Sequence, residues 1–183
     1  MPNHVYSRLT LEGSYEDIYR FKLENSVNGG FTFQKGVPVP QKKNLTAEEV
    51  KCKLEGEDII IDDWYQWSID NWGVKWDCWS ELGSPYRQGN PIWGGDDGDG
   101  LGDHEILYST AWGTAGPYFL NVSKKYPNLT FHTYYVDEGE CFAGESHYKD
   151  GALIKEVALD MASEDREALS ELEDLVRFGL GSV

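Results

Sequence analysis

The sequence predicts an α+β fold organised around one antiparallel sheet, and three observations carry that prediction. Between positions 4 and 159 the apolar residues switch repeatedly between a period of two and a period of three to four, so strands and helices alternate. Residues 58–79 make the switch within one stretch. Trp64, Trp67 and Trp72 fall at helical spacing, Gly73 is a helix stop, and Val74, Trp76 and Cys78 then alternate with Lys75 and Asp77. Lastly, Asp137-Glu-Gly-Glu140 and Lys149-Asp-Gly151 are turn signals between short strand-like runs, which makes consecutive strands antiparallel.

In chain order, residues 4–11 read as the first strand, ended by Gly13. Ser14, with Asp17 three residues on, is a helix N-cap. Tyr15, Ile18, Tyr19 and Phe21 form the stripe of a helix ending near Asn25, and Asn28, Gly29 and Gly30 form a turn. Residues 31–40 are expected to lie extended on the core, because Pro38 and Pro40 exclude a central strand. Thr46 and Glu49 make a capping box that starts a short helix through about Leu54. The tryptophan helix and its following strand come next, then a loop rich in Gly, Pro and Asp over about residues 83–104. Residues 105–112 are a strand. Thr114 and Pro117 open a helix that runs to Tyr126 and stops at Pro127. Three more strands occupy residues 129–136, 141–148 and 152–159. Ser163 caps a last helix with Leu169, Leu172, Leu175 and Val176 on one face. Strand, helix, insert, strand, strand, helix, strand is the ferredoxin-like βαββαβ unit. The expectation is a single domain over residues 1–183, with a helical insert at about 28–70 and a β-hairpin and C-terminal helix at about 137–183.

Charge narrows the partners. Sixteen Lys and Arg against 32 Asp and Glu leave a net charge of −16. That field repels phosphate backbones, which argues against direct nucleic-acid binding; it favours solubility, the ordinary reading of an acidic protein, and could attract a basic protein surface. No run is long enough to span a membrane, and Met1-Pro-Asn-His-Val5 carries no signal pattern. The expected location is therefore the cytoplasm, without membrane contact. Cys52, Cys78 and Cys141 are odd in number and far apart, so they read as three small buried hydrophobes rather than a disulfide or zinc framework.

Several short motifs, in this order, resemble the YubB ferredoxin-like family of phage, plasmid and integrated-element proteins. They are Met1-Pro-Asn-His-Val5, Asn71-Trp-Gly-Val-Lys-Trp-Asp77, Ser109-Thr-Ala-Trp112 with Pro117, Tyr126-Pro127, and Tyr135-Val-Asp-Glu-Gly139. The Asn-Trp-Gly-x-Lys-Trp motif is the most specific of these. The resemblance runs from Met1 to about Gly144. It implies the ferredoxin-like fold and a mobile-element origin, and it brings no catalytic residues or cofactor. The loop around residues 94–103 and the acidic last helix depart from the family pattern.

The most prominent polar motif is residues 94–105, where Asp96, Asp97, Asp99, Asp103 and Glu105 sit among glycines. Oxygen ligands on a flexible loop can wrap calcium. The EF-hand spacing fails, because with Asp97 at position one, Leu101 takes position five and Tyr108 position twelve. The motif therefore reads as a solvated loop, or as an acidic surface for a partner's Lys and Arg. His132 and His147 could lie across the expected hairpin, with either face open to His132, but neither has a close-spaced partner, so all four histidines, His4 and His104 included, read as surface or satisfied core residues rather than metal ligands. No nucleophile elbow, Cys–His pattern or phosphate loop is present. Glu138, Glu140 and Glu145 read as a solvated turn. Trp76, Trp112, Tyr134 and Tyr135 could resemble the stacking platform of RNA-recognition domains, but the basic motif is absent and the charge is wrong.

Seven tryptophans and eleven tyrosines exceed what one small core needs, so some rings are expected at the surface as a binding patch. The first expectation is a non-enzymatic mobile-element accessory protein. It would bind a host protein with a basic surface, such as a nuclease or other defence component, and inhibit it by acidic-surface occlusion or nucleic-acid mimicry. Its expected contacts are Asp96, Asp97, Asp99, Asp103, Glu105, Trp79, Trp93, Glu164, Asp165 and Glu171, with no cofactor and no metal. The alternatives are a small-ligand module that stacks a nucleotide-like molecule on exposed aromatics and, last, a metal-dependent enzyme using the Asp loop.

Overall fold

The structure is a computed structural model that describes residues 3–39, 64–80, 89–95, 101–139, 141–159 and 166–177. The Thr46 capping box and its helix, Cys52, Ser163 and most of the Asp-rich loop lie outside the described residues. The elements are β1 (His4–Glu12), α1 (Tyr15–Glu24), β2 (Ser26–Val27), β3 (Gly30–Phe31), α2 (Phe33–Gly36), α3 (Trp64–Trp72), β4 (Glu105–Ala111), α4 (Gly116–Ser123), β5 (Thr130–Asp137), β6 (Ala143–Lys149), β7 (Ala152–Leu159) and α5 (Arg166–Arg177).

Five strands form one sheet in the order β4-β1-β5-β6-β7, and every neighbouring pair is antiparallel. β4 and β5 flank β1 and are joined through α4, which is the second half of a βαββαβ unit. The partner strand expected beside β4 is reduced. Residues 73–76 form bends rather than the predicted strand, and Trp79 alone pairs with Ser109, its N–H and C=O both bonded at 3.1 and 2.8 Å. Residues 31–39 also differ from the extended reading. Phe31 ends a two-residue strand, and Thr32 caps the single turn of α2 by accepting the Gln34 N–H.

β1 alternates strictly, and its two faces meet two different layers. Val5, Leu9 and Leu11 point to the main core with Ile106, Phe131 and Tyr148, under Phe21 of α1 and Tyr118, Phe119 and Val122 of α4. Phe21 is the hub, with edge-to-face contacts to Tyr126 at 5.0 Å and Phe131 at 5.2 Å. Tyr6 and Tyr134 take the opposite face, where Leu169, Leu172 and Val176 of α5 pack with Val136, Ala143 and Leu159. The helix that the sequence predicts as docked on the body is thus the cover of the second sheet face.

α1 is capped as predicted, with Ser14 Oγ accepting the Asp17 N–H at 3.1 Å. Its predicted stripe is only half right. Phe21 is fully buried, but Tyr15 and Tyr19 stack on each other in solvent, 6.1 Å apart, on the outer side of the helix. Cys78 is buried as expected, whereas Cys141 is exposed, because it sits in the turn after β5 rather than under either layer.

Candidate functional site

Gly73 creates the surface of interest. Its φ of +78° needs glycine, and a Cβ there would lie 2.5 Å from Pro117 Cδ. The chain therefore leaves α3 tight against the start of α4 and turns outward. Val74 goes into the core, and Asp77 ties the turn down by accepting the N–H groups of Phe33 at 2.7 Å and Cys78 at 2.8 Å and the Thr32 hydroxyl. Lys75 and Trp76 stay at the surface.

A second turn, after β4, brings Trp112 to the same place. Its N–H donates to the Asn3 carbonyl at 3.1 Å, and the Thr110 hydroxyl donates to the Gly113 carbonyl at 2.6 Å. Trp112 holds φ at +66°, which bulky residues rarely adopt. Trp112 is 48% exposed and Trp76 36%, and their ring centroids are 6.5 Å apart with a tilt of 38°. The Lys75 ammonium lies 4.9 Å from each indole centroid and 6.0 Å from the exposed ring of Tyr65. Trp79 extends the patch, 6.2 Å from Trp76 and edge-on to His4 at 5.1 Å. Chemically this is a cation held by aromatic faces, worth about 0.5–1 kcal/mol per contact in water.

Other expected contacts fall elsewhere. Trp93 is a core residue, not a surface one. It packs on Phe21 and Phe31, and its indole N–H donates to Ser26 Oγ at 3.0 Å. Glu105 is an internal ion-pair partner rather than a surface acid. It meets Arg8 at 2.6 Å and accepts from the Gly102 N–H at 2.8 Å and the Thr10 hydroxyl at 3.1 Å, with its side chain only 13% exposed. Asp103 is exposed beside His104, and its carbonyl accepts from Lys22. Glu171 is exposed on α5. Asp96, Asp97, Asp99, Glu164 and Asp165 lie outside the described residues.

The four-ring platform is not assembled. Trp76 and Trp112 do come together, but Tyr135 is buried in the main layer and Tyr134 packs under α5 on the other face. Lys75, adjacent to Trp76 in sequence, is the group that sequence reasoning passed over. His132 and His147 are register partners across the β5–β6 hairpin, with ring centroids 4.2 Å apart. Each bonds its own carboxylate, Glu12 at 2.8 Å and Glu145 at 3.1 Å. Burial, then the neighbouring His132, hold the His147 pKa below its ordinary value. Among the described residues no group of three or more His, Cys, Asp or Glu is arranged to hold a metal ion, and no helix is long and apolar enough to cross a membrane.

Neither the curated proteins nor the solved structures contain a match to this chain. Residues 92–179 do match a family model, described as a ferredoxin-like domain in Api92-like protein. With the antiparallel sheet, the α4 crossover and the C-terminal helix, that match makes the fold ferredoxin-like and places residues 92–179 in similarity to that domain.

Proposed function

We propose that this protein is a non-enzymatic accessory protein of a phage or plasmid, which acts in the host cytoplasm by binding a host protein with a basic surface. The observation that carries the reading is the exposed Trp76–Trp112 pair, whose faces already attract the ammonium of Lys75. An acidic protein of net charge −16 draws basic surfaces toward it, and exposed indoles give such a surface something to seat against. A nuclease or other nucleic-acid-handling defence component has a basic channel suited to this charge, and its inhibition would be by occlusion.

A flat nucleotide-like ligand is served less well by the same rings. Their 38° tilt opens a wedge that fits a compact cation rather than a base held between parallel faces. The reading is tested by capturing host proteins on the immobilised chain and on a variant with Asp96, Asp97, Asp99 and Asp103 reversed to Lys. Binding should weaken with salt and with reversal. Capture that ignores both would sink the electrostatic account.

A further inference from the structure

We infer that the Trp76–Trp112 wedge is a receptor for a lysine-type ammonium presented by a basic protein segment, with Lys75 of the chain itself as the resident occupant. The inference rests on the partner reading above and states what that partner must present.

Three independent features support it. The first is convergence: Lys75 Nζ stands at equal distance, 4.9 Å, from two indoles contributed by turns 36 residues apart, with Tyr65 as a third ring at 6.0 Å. The second is the conformation of Trp112. Core packing does not explain a bulky residue that is both held at φ +66° and left half in solvent. The left-handed turn keeps its indole face turned to the cation. The third is charge, since the net −16 concentrates cations around the molecule.

The wedge suits an ammonium better than a guanidinium. A planar guanidinium stacks best between parallel rings, whereas a compact ammonium fits the open side of tilted ones. Lys75 can leave by rotating its flexible stem into solvent, so a partner lysine enters by exchange rather than by opening the fold. Lys75 thereby sets the affinity of the site, because any incoming ammonium must displace it.

The test uses tetramethylammonium as the probe, titrated against sodium chloride at matched ionic strength, with the tryptophan indole N–H signals read by NMR. Lys75→Ala should shift the Trp76 and Trp112 signals with a midpoint about tenfold lower than the wild type needs. Lys75→Arg should give a midpoint between those two, because a planar guanidinium fills the tilted wedge less well than the resident ammonium. Adding Trp112→Gly to Lys75→Ala should abolish the response. Glycine tolerates the left-handed φ, so this variant keeps the fold, which a thermal melt confirms. Equal midpoints for wild type and Lys75→Ala, or a response that survives Trp112→Gly, would overturn the receptor. If the ammonium response appears but Trp112→Gly leaves host-protein capture unchanged, the receptor stands and the partner reading falls.

Discussion

At Glu105 a carboxylate that burial alone would push toward neutrality is kept charged. Partial burial raises its pKa, but the Gly102 N–H, the Arg8 guanidinium and the Thr10 hydroxyl outweigh it and hold the group below the ordinary glutamate value. Arg8 also donates to the Leu175 carbonyl at 3.3 Å, so the pair joins β4, β1 and α5. Glu105→Gln should destabilise the fold by about 1–3 kcal/mol in urea unfolding at neutral pH, because it leaves Arg8 half-partnered in a largely buried place. The native pKa is depressed, so this contribution is full above the unfolded value of about 4.3 and is lost as pH falls through the lower native value. The wild type should therefore converge on the variant in acid. A stability gap that stays constant from neutral pH to acid would contradict the pairing. Glu105 also shows a limit of sequence reading. Its carboxylate ends a run of loop acids in the chain, yet the pairing of Thr10 with Glu105 in the sheet turns it inward. Trp93 is buried for a similar reason, since Phe21 of α1 and Phe31 of β3, both distant in sequence, make the pocket that covers it.

At the level of elements, local signals were the readable ones. The Ser14 cap, the hairpin turns, the three strands from residue 130 onward and the apolar face of α5 all lie in stretches of fewer than about a dozen residues, where period and turn chemistry decide. What failed needed distant partners. Residues 73–76 alternate as a strand would, but Asp77 is pulled onto α2 and Gly73 is wedged against Pro117, so the backbone bends. Tyr15 and Tyr19 have helical spacing, but the sheet lies under the Phe21 side alone. Gly73→Ala should therefore cost about 1–3 kcal/mol by thermal or urea unfolding, from left-handed strain and the Pro117 contact together. A neutral result would mean that the turn is not fixed as described. Val176 tests the other face. It is buried at the contact between α5 and the sheet, and Val176→Ala should cost about 1–3 kcal/mol if α5 covers Val136 and Ala143. A loss near zero would mean that the helix is undocked in solution.

For the molecule as a whole, the fold and the candidate surface have separate origins. The sheet with α1 and α4 makes a ferredoxin-like body whose core is complete without Trp76, Trp112 or Lys75. The excess of aromatic residues announced a surface patch in the sequence, but not its members, because the turn after α3 and the turn after β4 had to meet first. Net charge works at this scale too. At −16 the molecule attracts basic surfaces over about one Debye length, so salt should slow association more than it speeds dissociation. The aromatic wedge then acts only on contact. Comparing capture of host protein by the wild type and by Trp76→Ala/Trp112→Gly, each at low and high salt, therefore tests the central claim most directly. The account predicts a host protein with a basic surface, held by the wild type at low salt, weakened at high salt and lost in the double variant although that variant stays folded. A partner retained equally by both proteins would contradict it.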